Sequence, residues 1–481
     1  MSEVQTSELK RKTKLGLYWT SFNQFANYGI QFVIGIVLAR LLSPEDYGIT
    51  AIPTVFLAVA GVLIDSGFSS AMVRKPELTE KDLATAFYYN IAVGLTCYAL
   101  LFFSASWIAE FYKVPILESI IKVTALSYLI GPLNTPQTIL LKRRLDFKTP
   151  TFINIISVLL MGGVGISLAY MGYGVWALVL SSLSSSMIRL LLNWYVVRWT
   201  PKAGWSKDSF NYLFGYGSKL LLVFFMDKIY KNITPLFIGK FYSPVQLGVY
   251  NRALSYAQLP SQQFTSVVEG VTFPVLSKVQ DDNELLSRSY RKMLKTMAFI
   301  VFPMMILLAV LARPLVILLI TDKWEACIPY LQVMCFWWIW APIHSINLNL
   351  LMVKGRSDLF LRVEIIKKVI GLSIMAITLP MGIMYFLYGS IVNSLIALVI
   401  NTYYTGKLIN VGFLRQMGDI MPIMLLCALT GVIAWGFTSL LSNMVLQIII
   451  GGSIGVSVYL VISVLLKFPE FEEVKYMLKR K

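Results

Sequence analysis

Residues 420–466 read IMPIMLLCALTGVIAWGFTSLLSNMVLQIIIGGSIGVSVYLVISVLL and contain no charged side chain. A helix needs roughly 20 mostly apolar residues to cross a bilayer, so this stretch is long enough for two passes. The rest of the chain has the same character, because 57% of its 481 residues are hydrophobic and only 14% are charged. Soluble domains carry about 25% charged residues. The chain is therefore predicted to be an integral membrane protein.

Apolar stretches of spanning length recur along the whole sequence and predict an all-α fold with fourteen transmembrane helices. Their approximate bounds are 15–40, 49–73, 84–109, 116–140, 150–171, 173–197, 213–239, 246–275, 295–320, 326–352, 363–383, 385–406, 418–441 and 444–466. The four cysteines have no zinc-site spacing, and we interpret them as packing residues; they are Cys97, Cys327, Cys335 and Cys427.

The loop charges predict the orientation of these helices. With the N-terminus inside, 29 of the 42 Lys and Arg residues fall in inner segments and five in or beside outer loops. An excess of Lys and Arg marks the cytoplasmic side, so both termini are predicted to be cytoplasmic. The net charge of +17 does not indicate nucleic-acid binding, because the basic residues form short clusters between apolar stretches. No nucleic-acid partner is therefore expected.

Short motifs repeat at a nearly constant offset and predict a duplicated architecture. LSPEDYG at 42–48 recurs as YSPVQLG at 242–248. Two further matches pair Lys142, Arg144 and Asp146 with Lys354, Arg356 and Asp358, and Tyr170, Tyr173 and Gly174 with Tyr385, Tyr388 and Gly389. Because six is even, two six-helix halves run in the same sense, as parallel lobes around a central cleft. The predicted segments are a cytoplasmic N-terminus 1–14, an N-lobe 15–198, a linker 199–212, a C-lobe 213–407, a helix pair 418–466 and a cytoplasmic tail 467–481.

Several of these stretches resemble bacterial polysaccharide exporters of the Wzx type, in the multidrug/oligosaccharidyl-lipid/polysaccharide superfamily. They are ARLLSPEDYG at 39–48, DSGFSSAMVRK at 65–75, YGVWALVL at 173–180, GVYNRALSYAQL at 248–259, FPVLSKVQDD at 273–282 and the loop Asp322, Lys323, Trp324. The resemblance covers nearly the whole chain and is strongest to the colanic and teichuronic acid exporters.

The resemblance implies a MATE-like fold in the bacterial inner membrane. It also implies a flippase that carries undecaprenyl-diphosphate-linked oligosaccharide to the outer leaflet by alternating access, for O-antigen, capsule or exopolysaccharide synthesis. The implied partners are membrane lipid, this lipid-linked substrate and possible polysaccharide polymerase and chain-length proteins, around a monomeric transport unit.

Charged and amide side chains within the predicted spans supply the candidate site. Intramembrane charge is costly and usually faces a bundle interior or a wet cavity, and cations outnumber carboxylates in these spans. Such an excess favours an anionic ligand such as a diphosphate, which Arg binds with two parallel hydrogen bonds. The substrate-binding candidates are Arg252, Arg189, Lys231, Lys228, Asn27, Gln31, Gln24, Gln262, Tyr250 and Asn251.

Each candidate also has a structural alternative. Arg252 is either a substrate ligand or an interhelix contact, and Lys231 lies four residues from Asp227, so the two can neutralise one another. Asp65 and Glu269 are the candidates for binding a coupling ion, although the Ser, Gly and Phe after Asp65 indicate a helix break that this residue would cap. His344, beside Trp337 and Trp338, is either a hydrogen-bonded core residue or part of a surface on which sugars stack.

Two other classes of function remain alternatives. A cation-coupled multidrug antiporter shares the six-plus-six repeat, but more carboxylates are expected in its cleft. A membrane polysaccharide polymerase or ligase is expected to have a large outer loop with catalytic residues, and the outer loops here are short. No glycine-rich phosphate motif for ATP is present in the sequence. We therefore expect no enzyme activity, no catalytic residues, no cofactor and no metal.

Overall fold

The structure, a computed structural model, describes residues 3–479. Side chains are described within that range except at 3–10, 12–14, 17, 267–269, 271 and 477–479. Within this part of the chain the regular elements are helices, without strands.

The helices of the first half are α1 Glu3–Leu41, α2 Pro44–Asp65, α3 Phe68–Arg74, α4 Glu80–Tyr112, α5 Ile116–Thr124, α6 Ser127–Arg143, α7 Lys148–Tyr170, α8 Val175–Val197, α9 Lys207–Phe241 and α10 Pro244–Ser277. The later ones are α11 Asn283–Val310, α12 Ala312–Ile320, α13 Cys327–Trp338, α14 Ala341–Val353, α15 Ser357–Thr378, α16 Ile383–Ile409, α17 Phe413–Ser439, α18 Met444–Leu446, α19 Gly452–Leu465 and α20 Pro469–Lys479. A π-helical turn, Gln447–Gly451, joins α18 to α19.

Ten helices of the described residues are long and apolar enough to cross a membrane. Four predicted spans do not qualify: α9, α10, α15 and the stretch formed by α13 and α14. Polar and charged side chains lower the mean hydropathy of α9 and α10, whereas α15 is excluded by its four charged residues between 362 and 368. The remaining stretch is divided into short helices, and Pro342 in the first turn of α14 prevents α13 from continuing. Predicted span 295–320 is likewise interrupted at Leu311, between α11 and α12.

The repeated motif is a helix start in both places. Ser43 accepts a hydrogen bond from the backbone of Asp46 at 3.2 Å, and the Asp46 carboxylate accepts one from the Ser43 backbone at 2.9 Å. The same reciprocal bonds join Ser243 and Gln246, at 3.2 and 3.4 Å. These capping boxes satisfy amides at the helix N-terminus and fix the first residues of α2 and α10.

Two glycines of the repeated motif allow the first turns of α2 and α10 to touch. A Cβ atom on Gly48 would lie 1.7 Å from the carbonyl oxygen of Pro244, and one on Gly248 would lie 1.8 Å from that of Pro44. Real Cβ atoms essentially never come within 3.0 Å of another heavy atom. The contact is reciprocal, and only glycine fits on either side of it.

The chain forms two compact units, Met1–Gly248 and Val249–Lys481. In the first unit, Phe68, Met72, Leu83 and Leu213 form a buried cluster that packs α9 against α3 and α4. By its contacts α9 therefore belongs to the first unit. The predicted lobes 15–198 and 213–407 were defined by motifs that recur in the sequence, and these boundaries stay a prediction.

In each predicted six-helix half, a cation after the fourth span of that half donates hydrogen bonds to an earlier loop. Arg143 donates to the carbonyl oxygens of Met72 at 2.9 Å and Pro76 at 2.7 Å. Lys354 donates to the carbonyl of Gln280 at 2.6 Å and to Asn283 at 2.7 Å. These bonds fasten the loops after the second and eighth predicted spans.

The Asp146 and Asp358 pair of the predicted repeat makes different bonds in the two units. Asp146 accepts from Thr149, whereas Asp358 forms a two-bond pair with Arg356. The hydrogen-bonded guanidinium lowers the pKa of the Asp358 carboxyl to about 2. The two aspartates that the predicted repeat pairs therefore have different hydrogen-bond partners.

The second unit includes α20, which docks on α11 through ion pairs. Glu470 lies 2.7 Å from Lys295, and Glu473 lies 2.9 Å from Lys292 and accepts from Thr296 at 2.8 Å. Glu470 is 3% exposed, so its pair is shielded from solvent. The four cysteines are buried free thiols, which confirms their assignment as packing residues.

Candidate functional site

Arg252 of α10 packs against aromatic rings in the second unit. Its guanidinium carbon lies 5.6 Å from the ring centroid of Tyr256, one turn further along the helix, and 5.4 Å from that of Trp324. Trp324 is fully buried. Attraction between a cation and a ring face contributes about 0.5–2 kcal/mol. Both interpretations of Arg252, anion ligand and interhelix contact, fit this geometry.

The neighbours of Arg252 differ in accessibility. Tyr250 is 2% exposed and its ring lies 6.2 Å from that of Phe386, so in this conformation it is a core residue. Asn251 is half-buried and Gln262 is exposed. A ligand can reach Gln262 without rearrangement, whereas it cannot reach Tyr250.

Arg189 belongs to a hydrogen-bond chain across three helices of the first unit. Its Nη2 donates to Asn154 Oδ1 on α7 at 2.9 Å, and Asn154 Nδ2 donates to Asn23 Oδ1 on α1 at 3.1 Å. Asn23 lies one turn before Asn27, whose Oδ1 accepts from Gln31 Nε2 at 2.9 Å. The structure therefore links Arg189 through Asn154 to α1, one turn before the candidate Asn27.

Asn23 and Asn154 are absent from the residues predicted from the sequence. In the sequence, Asn154 is visible only as an amide within an apolar span. Its partner, Arg189 on α8, lies 35 residues away, so the sequence does not reveal the contact. Gln24, the remaining candidate on α1, is half-buried.

A cavity of about 390 Å³ in the first unit brings Asp65 together with Asp227 and Lys228 of α9. Asp65 Oδ1 also accepts from the backbone amide of Ser69 at 3.3 Å and from its hydroxyl. Asp65 thus caps the first turn of α3 and lines a cavity that contains a second carboxylate and a cation.

The predicted helix break after Asp65 is present. Ser66 and Gly67 have φ values of 45° and 75°, in the left-handed region. A Cβ on Gly67 would lie 2.7 Å from the carbonyl oxygen of Gly217 on α9, so glycine is required here by conformation and by space. This close approach fixes the end of α2 against α9.

Two further charged candidates, Lys228 and Lys231, lie on α9. Lys231 pairs with Asp227 at 2.9 Å, as their spacing on α9 predicts, and its side chain is 68% exposed. Lys228 is exposed where it lines the cavity with Asp65. Glu269 lies outside the side chains that the structure describes.

Comparison with known proteins resolves the family. The signature of the family described as polysaccharide biosynthesis protein matches residues 37–329, which is more than half of the chain. The chain belongs to this polysaccharide biosynthesis family. The resemblance to Wzx-type exporters inferred from the sequence is thereby confirmed.

Curated relatives of this polysaccharide biosynthesis protein are bacterial. It is 26% identical over 424 residues to the teichuronic acid biosynthesis protein TuaB of Bacillus subtilis, with 88% of each chain covered. It is 26% identical over 365 residues to the lipopolysaccharide biosynthesis protein WzxC of Escherichia coli, which covers 75% of this chain and 73% of WzxC. Together with the spanning helices, this identifies a multi-pass protein of the bacterial inner membrane.

Solved structures show the fold of this family member. The lipid II flippase MurJ, in an inward closed conformation, matches with a TM-score of 0.75 at 17% identity, over 94% of this chain and 98% of MurJ. An inward-facing multidrug MATE transporter matches with a TM-score of 0.62 at 14% identity, over 79% of this chain and 94% of that one. The expected MATE-like helical fold is confirmed.

A larger cavity, of about 690 Å³, lies in the second unit and is lined in part by His344, Trp337 and Trp338. His344 Nδ1 lies 3.1 Å from Asn401 Nδ2, and Nε2 lies 3.0 Å from Ser394 Oγ. Because the Asn401 amide donates to Nδ1, the proton of the neutral ring is on Nε2 and is donated to Ser394. His344 is thus a hydrogen-bonded wall of the cavity.

Proposed function

We propose that this protein moves undecaprenyl-diphosphate-linked oligosaccharide from the inner to the outer leaflet of the bacterial inner membrane by alternating access. The observation that carries this proposal is the polysaccharide biosynthesis family signature over residues 37–329 in a chain with the fold of a lipid II flippase. A relative from Rhizobium meliloti, 25% identical over 316 residues, is described as the succinoglycan biosynthesis transport protein ExoT. A family of transport proteins also favours a transporter over a polymerase or ligase.

The proposal includes fourteen spans, in lobes of six and six with an appended pair, and cytoplasmic termini. The loop charges and the repeated helix starts at Ser43 and Ser243 support it. The proposed partners are a polysaccharide polymerase and chain-length proteins, which take over the saccharide on the outer side of a monomeric transporter.

Deletion of the gene in its native host tests the function. The expected result is an accumulation of lipid-linked saccharide in the inner leaflet and a loss of surface polysaccharide, both reversed by a plasmid copy. Unchanged surface polysaccharide and an unchanged lipid-linked pool would contradict the proposal.

Arg252, with Arg189 and Lys231, is proposed to bind the diphosphate. Charge-assisted hydrogen bonds to a phosphate contribute about 1.5–3 kcal/mol, so Arg252→Ala is expected to weaken substrate binding by about ten- to a hundredfold. Arg252→Lys keeps the charge without the two-bond geometry and is expected to restore part of the affinity. Arg288→Ala is the control, because Arg288 is exposed and pairs with Glu284 one turn away.

The readouts are surface polysaccharide, the inner-leaflet lipid-linked pool and the amount of protein in the membrane. Normal polysaccharide from Arg252→Ala removes this residue from the site. Normal polysaccharide after Arg252, Arg189 and Lys231 are all replaced would overturn the cationic site.

Asp65 is proposed to bind the coupling cation, because it shares its cavity with the carboxylate of Asp227. Asp65→Asn removes the charge but keeps an oxygen that can accept from Ser69, whereas Asp65→Ala removes both. A loss of export at normal protein level in Asp65→Asn is the expected result. Normal export by Asp65→Asn, with a loss of protein only in Asp65→Ala, would leave capping as the role of Asp65.

The same pair of carboxylates is the feature that favours the alternative, a cation-coupled multidrug antiporter. The two functions differ in cells. Deletion is expected to leave sensitivity to cationic dyes such as ethidium unchanged while surface polysaccharide is lost. Increased dye sensitivity with normal polysaccharide would support the antiporter instead.

A further inference from the structure

The 690 Å³ cavity of the second unit has a wall chemistry unlike that of the charged candidate sites. Its lining comes from α10, α13, α14, α15 and α16 and is largely aromatic and aliphatic, with Trp337, Trp338, Phe273 and Phe360 among the side chains. The described residues that line it include no Lys, Arg, Asp or Glu. A phosphate group would find no cation among these described residues.

Two hydrogen-bond donors at this wall have no acceptor among the described residues. The Nδ2 of Asn349, a residue that is 5% exposed, has no acceptor among the described residues. The Nε1 of Trp338 has none either. Buried donors are nearly always satisfied in native proteins, so an unsatisfied pair at a cavity indicates acceptors supplied by a ligand. Ser394 Oγ accepts from His344 and therefore keeps its own proton to donate.

Trp337 and Trp338 give the cavity an aromatic surface in addition to the unsatisfied donors. The rings of Trp337 and Trp338 lie 5.6 Å apart between centroids with an angle of 41° between their planes. The ligand therefore needs both an apolar face and hydroxyl oxygens. A polyprenyl chain has the apolar face without the oxygens, and a diphosphate has acceptor oxygens without an apolar face.

We propose that this cavity binds a neutral sugar ring of the translocated oligosaccharide, with its C–H face on the tryptophans and its hydroxyl oxygens on Asn349 and Trp338. The inference rests on the proposed function and adds the part of the substrate that this unit recognises. Thr265, at the cavity, lies 13 residues after Arg252 on α10, which is roughly 20 Å along the helix. With the diphosphate at Arg252, the bound ring is a distal sugar of the repeat unit.

The test compares two lipids that differ only in the sugars. One is the lipid-linked saccharide extracted from the native host after deletion of this gene, and the other is undecaprenyl diphosphate. Binding of each to the purified full-length protein in nanodiscs is measured for the wild type, Asn349→Leu and Trp338→Phe. Asn90→Leu is the matched control, because Asn90 of the first unit is a fully buried amide without hydrogen-bond partners among the described residues and does not line the cavity.

The expected result is tighter binding of the saccharide lipid than of undecaprenyl diphosphate by the wild type. Each cavity variant is expected to lose about three- to tenfold in affinity for the saccharide lipid, as for a neutral hydrogen bond, with no change for undecaprenyl diphosphate. Trp338→Phe keeps an aromatic ring and so tests the donor without emptying the cavity. Asn90→Leu is expected to bind both lipids as the wild type does.

The other outcomes separate this inference from the proposed function. Equal wild-type affinity for the two lipids, or unchanged affinity in both cavity variants, would overturn the sugar site and leave the flippase proposal standing. Equal losses for both lipids would assign the cavity to the polyprenyl chain and also overturn it. A wild type that binds neither lipid would instead overturn the proposed function itself.

Discussion

Replacing Gly48 with alanine tests the close contact between α2 and α10. The added Cβ would lie 1.7 Å from the Pro244 carbonyl oxygen, so that separation must double before ordinary contact begins at 3.4 Å. The opposing atom belongs to the backbone and cannot rotate away. Overpacking of this kind costs about 1–3 kcal/mol, and the gain in helix propensity from Gly to Ala returns up to about 1 kcal/mol. Because the clash is severe and involves backbone, its cost is expected in the upper part of that range, about 2–3 kcal/mol, which leaves a net destabilisation of about 1–2 kcal/mol.

Thermal unfolding in detergent, followed by fluorescence-detected size exclusion, measures this cost. For a unit of this size each kcal/mol corresponds to about 2–4 °C, so Gly48→Ala is expected to lower Tm by about 2–8 °C. Gly29→Ala is the control, because a Cβ there meets nothing within 4 Å. A single increase in the separation of the two helix starts would relieve both clashes. The double variant Gly48→Ala with Gly248→Ala is therefore expected to lose less stability than the sum of the losses in the two single variants. A Gly48→Ala protein with wild-type Tm, or strictly additive losses, would refute the reciprocal contact.

Three further outcomes are expected. In a cysteine-free background, a cysteine at Met171 is expected to react with an impermeant thiol reagent on intact cells and one at Arg144 is not, and the reverse pattern would invert the proposed orientation. Asp82→Ala removes a fully buried carboxylate that pairs with Lys75 at 2.7 Å, and is expected to cost about 2–3 kcal/mol because the lysine is partly solvated; wild-type yield and Tm would contradict this. Glu470→Gln is expected to loosen α20, seen as faster amide hydrogen exchange in that helix, and unchanged exchange would show that the ion pair does not hold it.

The membrane class and the helix break after Asp65 could be predicted because both depend on short local stretches of sequence. The length of an apolar stretch determines whether it can span a bilayer. The helix starts were less accurate, because the spans predicted from 49 and 246 begin at Pro44 and Pro244, where Ser43 and Ser243 cap them. The helix break after Asp65 is equally local, since Ser66 and Gly67 themselves adopt the left-handed conformation.

The composition of the candidate sites could not be predicted because it depends on contacts between distant segments. Arg189 meets Asn154 across two helices, and His344 meets Asn401 across 57 residues. A polar stripe on one helix does not reveal which helix faces it. The cavity at Asn349 shows the same limit, since the missing acceptor for its amide becomes apparent only when the surrounding helices are in place.

The ion pairs between α11 and α20 have a consequence for how the chain is made. Thr296 and Glu473 are 177 residues apart, so at 5–20 residues per second the acidic partners are synthesised roughly 9–35 s after the cations of α11. During that interval Lys292 and Lys295 carry charge without these carboxylates. In the proposed orientation they count toward the positive cytoplasmic charge while α11 is being inserted, and Glu470 and Glu473 bind them afterwards. The same two lysines thus serve first in orienting a helix during synthesis and then in anchoring another helix to it.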